Sequence, residues 1–267
     1  MKILLSLFLA FASVYACKED TKPTFPQVRI LGNEVEAKGE MEERTFQDTF
    51  DRVWVSSSID AQVFHSNENK VVIRAPKSVI ENVAVETKEG RVHIRFKNNI
   101  TIIGSHNVTA KIYTPQLKGL TADSSADVVV MDKFTQEEMK ISISSSAEVE
   151  GTLEANRMEI SASSSGGFTG KVWALDLQAQ VSSSADMLLS GKAKNVRLSA
   201  SSSGDLNASA LTAETADLSA NSSGDIEVGV EKQANAKASS SGDIRILKKG
   251  QVIVKEETSS SGKVIVH

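Results

Sequence analysis

The sequence predicts an all-β protein in which a single chain winds into a β-helix, or solenoid, of about 19–20 residues per coil, with a less regular β N-terminal part. Three observations predict this fold. A Ser-Ser-Ser-Gly-Asp motif recurs at a nearly constant interval, apolar residues alternate on both sides of it, and aromatic residues make up only 5% of the chain. So few bulky side chains suit a slender core one side chain deep.

The motif, which we call the corner, occurs in nine copies. They lie at Ser56–Asp60, Asp123–Asp127, Ser144–Glu148, Ser163–Gly167, Ser182–Asp186, Ser201–Asp205, Asn221–Asp225, Ser239–Asp243 and Ser259–Lys263. From the second copy onward, successive corners begin 18–21 residues apart. A fixed period of this size is typical of solenoids, in which each repeat buries its neighbour.

The residues around the corner distinguish strand from helix. Met139-x-Ile141-x-Ile143 precedes one corner, and Ile226-x-Val228 follows another. This alternation has a period of two, which indicates half-buried strands. Two strands joined by a corner therefore make up one coil.

The corner has a chemical rationale. We expect the glycine to take positive φ, the aspartate to cap the turn through its side chain, and the serines to form hydrogen-bonded ladders where coils stack about 4.8 Å apart. Ala126, Ala147 and Ala185 replace the glycine in three copies, and there we expect negative φ or some backbone strain.

Residues 1–17 have the features of a lipoprotein signal peptide. A basic start is followed by an apolar run that is too short to span a membrane comfortably. Val14-Tyr15-Ala16-Cys17 resembles a bacterial lipobox, with Tyr15 in place of the usual small residue. Cys17 is the only cysteine, so we predict that it carries the lipid; an ordinary signal peptide is the alternative.

Residues 18–45 contain prolines, glycines and many charges, and we predict that they form a flexible tether. Lys18-Glu19-Asp20 is similar to a signal that sends lipoproteins of some Gram-negative bacteria to the outer cell surface, although a solvated tether explains it equally well. The β-helical domain is predicted to span 46–267. Its N-terminal part has a Glu89-Gly90 turn and broader coils or a hairpin that caps the solenoid.

Several segments resemble the putative auto-transporter adhesin head GIN domain family. They are Glu42–Thr45, Phe50–Ser56, Ile59–Val63, the run Val83 to Ile94, and the later corners. The resemblance covers roughly residues 40–267. It implies a β-helical, envelope-associated and often lipid-anchored protein, and it supplies no catalytic residues.

The residues themselves do not suggest an active site. The four histidines, His65, His93, His106 and His267, lie outside the regular coils, so repeated serines are better explained by stacking than by nucleophilic catalysis. A polysaccharide-active enzyme would need clustered acids and aromatic platforms, yet the regular coils hold only Phe134, Phe168 and Trp173. We therefore predict no enzyme, and no catalytic or cofactor-binding residues.

Calcium is the one metal for which the sequence gives a reason to consider a binding site. Gly204-Asp205, Gly224-Asp225 and Gly242-Asp243 would stack in register, as in calcium-binding β-rolls. The period is about twice that of such rolls and their Gly-Gly-x-Gly is missing, so turn-forming aspartates are favoured. We predict no metal site, and the question of calcium stays open.

These observations predict a non-catalytic outer-membrane lipoprotein. It would act as an adhesin or surface binding module for an extracellular or envelope ligand, or as a self-assembling spacer. We expect it on the cell surface, with a location facing the periplasm as the alternative. A net charge of −4 gives no reason to expect nucleic acid. The terminal coil at Lys263–His267 has no polar cap, and for this reason we predict a homo-oligomer.

Overall fold

A computed structural model describes residues 33–104 and 107–267 of the chain. The protein is nearly all-β, with 69% strand and 2% helix, and its coils stack into a β-solenoid of about 8 turns. The predicted fold class, including the less regular N-terminal part, is confirmed.

The N-terminal part contains short strands and one helical turn. Its elements are β1 (Asn33–Glu36), β2 (Met41–Phe46), β3 (Arg52–Val55), β4 (Asp60–His65), β5 (Lys70–Pro76), α1 (Lys77–Ile80), β6 (Val83–Lys88), β7 (Arg91–Phe96), β8 (Ile100–Ile103), β9 (Thr109–Thr114) and β10 (Gly119–Ala122). Antiparallel pairs join β2 to β5, β5 to β9, and β6 to β7. The β6–β7 turn is the predicted one, with φ of 51° at Glu89 and 73° at Gly90.

The regular part consists of long strands that each follow most of one coil. They are β11 (Asp127–Ile143), β12 (Glu148–Ala162), β13 (Gly167–Val181), β14 (Asp186–Ala200), β15 (Asp205–Ala220), β16 (Asp225–Ala238), β17 (Asp243–Lys248), β18 (Ile253–Thr258) and β19 (Lys263–Val266). Neighbouring coils pair in parallel, so equivalent residues form columns along the solenoid. Strands β3 and β4 join this stack by parallel pairing with β10 and β11.

The core is a set of stacked apolar columns. Met139 lies against Met158, and Ile141 against Ile160, in consecutive coils. Phe134, one of the two fully buried phenylalanines that are the largest side chains of the core, is in register with Leu153 of the next coil. The core is thus one side chain deep, as the composition predicted.

Each coil is divided into three flat segments. In β12 the alternation of buried and outward residues is interrupted at Gly151-Thr152 and again at Asn156-Arg157. The solenoid therefore has three outer faces. We call them the acidic face, through Glu148; the Trp173 face, through Glu154 and Trp173; and the groove face, through Glu159.

The positive φ angles of the corner lie at other residues than expected. Its second and third serines hold the positive φ angles, for example 50° at Ser202 and 61° at Ser203, whereas the glycine after them does not. Gly204 donates its backbone N–H to the Ser201 carbonyl over 3.0 Å, which closes a type I′ turn. Ala126, Ala147 and Ala185 also avoid positive φ, as predicted.

At Gly224 the neighbouring coil leaves no room for a side chain, whereas the corners with Ile59, Ala126, Ala147 or Ala185 at this position accommodate a Cβ atom. A Cβ atom added to Gly224 would lie 2.5 Å from the carbonyl carbon of Ala200, which belongs to the preceding coil. The requirement for glycine at position 224 is therefore steric. It follows from the close approach of two backbones and not from the turn's own dihedral angles.

The predicted ladder of serine hydroxyls is also wrong. The corners are joined by backbone bonds instead, such as Ser203 N–H to the Ser222 carbonyl at 3.1 Å. The second and third serines are exposed, and in the described part of the chain no corner hydroxyl bonds the hydroxyl of the next corner. Within the same residues, no corner aspartate at the fifth position caps its turn through a side-chain bond.

The predicted boundary between tether and domain needs correction. Residues 33–46 contain β1 and β2, and β2 pairs with β5 along its whole length. Ser78 adds a bond from its Oγ to the Glu36 carbonyl at 2.8 Å. Polar side chains concealed this pairing, because edge strands need few apolar residues. The signal peptide, Cys17 and residues 18–32 lie outside the described residues.

Candidate functional site

A groove of about 650 Å³ crosses several coils of the groove face. Its floor consists of apolar side chains from successive coils: Met139, Met158, Leu177 and Val196. The groove ends near Lys118 on one side and near Asp217 on the other. At the usual strand spacing of about 4.8 Å, the coils that carry these two residues are about 24 Å apart. The groove thus runs along the solenoid, at right angles to the strands.

One wall of the groove is a continuous polar column. Arg157 pairs with Glu138 of the preceding coil. Further along, Asn195 donates to Asp176 over 2.8 Å and accepts a bond from Thr215 over 3.0 Å. Each partner comes from the adjacent coil, so the wall also ties the coils together.

The opposite wall carries ion pairs of its own. Lys140 Nζ lies 2.9 Å from a carboxylate oxygen of Glu159, and Arg197 lies 3.9 Å from Asp217. All four side chains are well exposed, so each pair contributes less than about 1 kcal/mol to stability. The walls are thus polar but nearly neutral, above an apolar floor.

The N-terminal end of the groove is more basic. Lys118 Nζ lies 2.8 Å from Asp51, and Arg52 lies 3.4 Å from the same carboxylate. Burial raises the pKa of the Asp51 carboxyl, but the hydrogen bond and charge of Lys118, with help from Arg52, outweigh it and leave the pKa below its ordinary value. Asp51 therefore stays ionised between the two cations.

An aromatic cluster lies beside this basic end. The rings of Trp54 and His93 stack with their centroids 3.7 Å apart and their planes 6° from parallel. Trp54 Nε1 donates to Asp123 over 2.7 Å, and the Arg91 guanidinium lies 5.0 Å from the indole centroid. Parallel pairing of β3 with β7 places these side chains on neighbouring strands.

His93 also contacts Ser56, with 3.1 Å between Nε2 and Oγ. Burial lowers the pKa of His93, and Arg95 adds to this effect, so the imidazole is neutral at pH 7. This is a Ser–His pair that the sequence did not anticipate, since the two residues are 37 positions apart.

The pair lacks the geometry of a nucleophile. Ser56 is only 6% exposed, so a substrate has no direct path to its hydroxyl. The nearby acid, Asp123, is held by Trp54, and within the described ranges no carboxylate bonds His93 to orient it. The cluster acts as a packed joint between the N-terminal part and the first regular coils.

The acidic face carries the fifth residue of each corner. In register these residues are Asp60, Asp127, Glu148, Gly167, Asp186, Asp205, Asp225, Asp243 and Lys263. Burial raises the pKa of Asp205, and the charges of Asp225 and Asp186 raise it further. Among the residues that the structure describes, no group of three or more His, Cys, Asp or Glu side chains is placed to hold a metal ion.

The only site residue predicted from sequence, Cys17, lies outside the described residues. The groove, the Trp54–His93 stack and the Ser56–His93 contact were missed. Alternation along a strand shows which residues point outward, but it does not show which coils lie side by side in the N-terminal part. The charged residues at 19-residue spacing, such as Glu138 and Arg157, were the one available signal.

Comparison with known proteins identifies the family. Residues 49–172 and 144–250 match the family described as putative auto-transporter adhesin, head GIN domain, and together these matches span well over half of the chain. The chain belongs to this family. The predicted resemblance is confirmed, and an adhesin-like role at the cell surface or envelope is consistent with membership. No curated protein matched the sequence.

Solved structures share the fold. A putative adhesin from Parabacteroides merdae superposes with a TM-score of 0.79 at 16% identity, covering 88% of this chain and 99% of its own. A putative adhesin from Parabacteroides distasonis gives 0.80 at 19% identity, covering 88% and 100%. A putative lipid binding protein from the same species gives 0.75 at 19%, with the same coverage. These neighbours are described as adhesins or lipid-binding proteins and not as enzymes.

Proposed function

We propose that this protein is a non-catalytic outer-membrane lipoprotein that binds an extended ligand outside the cell. In this proposal Cys17 carries the lipid, residues 18–32 form the tether, and the solenoid is held on the cell surface. The family membership and the lipobox-like sequence before Cys17 support the anchoring. No helix in the described part of the chain is long and apolar enough to cross a membrane.

The groove is the observation that carries the binding role. A long channel with an apolar floor and polar, nearly neutral walls suits an extended chain that has both apolar and polar surfaces. The walls are fixed by bonds between coils, such as Asn195 to Asp176, so little order is lost when a ligand binds.

Protease shaving of intact cells tests the surface location. Cells that express the wild-type chain are compared with cells that express Cys17→Ala, by immunoblot of whole cells, membranes and medium. We expect the wild-type protein to be membrane-bound and cleaved on intact cells, and the variant to leave the membrane fraction. Cleavage only after the outer membrane is opened would contradict surface display and favour a location facing the periplasm.

The binding role needs a separate test. Purified full-length protein in detergent is applied to immobilised mucin, fibronectin and peptidoglycan, and a charge-reversed groove variant, Arg157→Glu with Glu159→Lys, is compared with it. We expect the variant to lose most of the binding, while Asp225→Lys on the acidic face binds as the wild type does. Equal binding by wild type and groove variant would refute the role of the groove.

Self-assembly as a spacer is the second candidate, and the last coil favours it. Strands β18 and β19 are each paired on one side only in the described structure, and Ile253 is 68% exposed. Unpaired strand edges with apolar side chains favour pairing with another copy. Light scattering at increasing concentration should show a dimer or larger species that Ile253→Lys weakens. A monomer at millimolar concentration would exclude this assembly.

A further inference from the structure

The Trp173 face carries an exposed aromatic side chain in the middle of the regular coils. Trp173 is 45% exposed and Leu175, two residues later on β13, is 41% exposed. Ala174 between them points into the core, and strands β12 and β14 pair with β13 on both sides. Both outward side chains are therefore held on a rigid platform.

The two sides of Trp173 differ. Towards the N-terminus it lies next to Glu154, whose carboxylate binds Lys133 at 3.0 Å and Thr135 at 3.2 Å. Towards the C-terminus it lies next to Lys192 and opens on a hollow of about 270 Å³. The far wall of the hollow includes Thr212 and Glu214.

The hollow coincides with irregular pairing. The register of β14 with β15 shifts between Leu188 and Ser190, and that of β15 with β16 shifts between Ala208 and Thr212. Such bulges redirect side chains and are common next to functional sites. Irregular pairing therefore lies on the side of Trp173 where the hollow is, and a further register shift lies on the other side, between Val130 and Phe134 of β11.

Three lysines lie close to Trp173 along β13 and the neighbouring β14. Lys171, Lys192 and Lys194 form no ion pair within the described residues. Other lysines of the same face are paired, for instance Lys232 with Glu214 at 2.6 Å. Lys192 and Lys194 therefore lie beside the exposed indole without a direct ion pair among the described residues. Lys232 lowers the pKa of the Glu214 carboxyl most, and the charge of Lys194 adds to this effect.

We propose that Trp173, Lys192 and Lys194 form a binding site for an acidic sugar unit of a glycan. The indole would stack on the apolar face of a pyranose ring, and the two ammonium groups would pair with its carboxylate or sulfate. At the far wall, the Glu214 carboxylate would accept hydrogen bonds from ring hydroxyls, and the Thr212 hydroxyl would donate or accept one. This site is separate from the groove and does not depend on the lipid anchor.

The surroundings favour a sugar over an anionic membrane. Around the hollow, Trp173 and Leu175 are the exposed large apolar side chains among the described residues, which is little surface to insert into a bilayer. Glu154, Glu214 and Glu231 lie around the lysines and would repel an anionic lipid surface. A single sugar ring fits between these carboxylates, whereas a flat charged surface would approach all of them.

Tryptophan fluorescence provides the test. Trp54→Phe leaves Trp173 as the only tryptophan, because the chain has two. The full chain in detergent is titrated with hexasaccharides containing galacturonic acid, with hyaluronan and chondroitin sulfate hexasaccharides, and with neutral cellohexaose. We expect at least one acidic oligosaccharide, but not cellohexaose, to change the Trp173 emission, with an affinity that falls as salt rises.

Variants identify the residues, with calorimetry as the readout. Trp173→Ala and the double variant Lys192→Gln, Lys194→Gln should each weaken acidic oligosaccharide binding about tenfold or more. Lys140→Gln on the groove face is the matched control and should bind normally. Far-UV circular dichroism confirms that each variant is folded.

Three outcomes would overturn the proposal: no acidic oligosaccharide binds, cellohexaose binds as well, or Trp173→Ala binds as tightly as the wild type. Binding to phosphatidylserine vesicles without binding to oligosaccharides would also overturn it and indicate a lipid surface instead. Because no arm uses cells or the anchor at Cys17, failure here is distinguishable from failure of the proposed surface location.

Discussion

The corner glycine at position 224 offers a direct test of how closely the coils approach. A Cβ atom at Gly224 would lie 2.5 Å from Ala200 C, 2.6 Å from Ala200 O and 2.6 Å from Ser201 N. All three atoms belong to the backbone of the neighbouring coil, so no side-chain rotation can relieve the contact. Gly224→Ala must therefore push two coils apart.

The cost follows from the distances. Restoring an ordinary contact of 3.4 Å to the nearest atom needs a shift of about 0.9 Å. The bond from Asn221 N–H to the Ala200 carbonyl, now 3.0 Å, would then be stretched or broken. Losing one such bond costs about 1 kcal/mol and the overpacking about 1–3 kcal/mol, so we expect a loss of about 2–4 kcal/mol.

Urea denaturation followed by far-UV circular dichroism measures the change. Gly167→Ala is the matched control, since its Cβ would meet only Glu148 Cγ at 3.6 Å and the strand would lose a flexible residue. We expect that control to be neutral or slightly stabilising. If Gly224→Ala is within about 0.5 kcal/mol of Gly167→Ala, the steric explanation of the corner is wrong.

Three further predictions concern the corner, the aromatic cluster and the acidic face. Ser203, at φ of 61°, should be stabilised slightly by Asn, which tolerates this region, and destabilised by about 1–2 kcal/mol by Val; melting temperatures decide this. Because the pKa of His93 is lowered in the folded protein, the free energy of unfolding should fall as pH drops through about 6.5. His93→Gln should abolish that part of the pH dependence, and an unchanged profile would contradict it. The pKa of Asp205 is raised, so Asp205→Asn should be more stable than wild type at pH 7, with the difference vanishing below pH 3.8; urea titrations at both pH values test this.

Strand alternation and the corner period were enough to predict the solenoid. They worked because each coil obeys the same local rule: apolar residues such as Ile141 and Ile160 point inward at fixed spacing, and stacking only repeats the rule. The prediction failed for Asn33–Phe46, where polar strands pair at an edge and no apolar pattern marks them.

The corner shows a different limit. Positive φ was expected at the corner glycine, but the second and third serines hold it, and at Gly224 the glycine instead gives room to the next coil. The dihedral preference of a residue is a local property, whereas the space around its Cβ depends on a chain segment 24 residues away, as for Gly224 and Ala200.

The amino-acid sequence by itself determined the fold class, the coil length and the inward columns, since these follow from local periodicity. The tertiary structure alone decided what the outer faces present. Only the register between coils places His93 on Trp54, aligns the walls of the groove, and leaves Lys192 beside Trp173 with no ion pair to the residues that the structure describes. Binding surfaces on a solenoid are formed by residues from neighbouring coils. These residues are too far apart in the sequence for a local pattern to show that they are in contact.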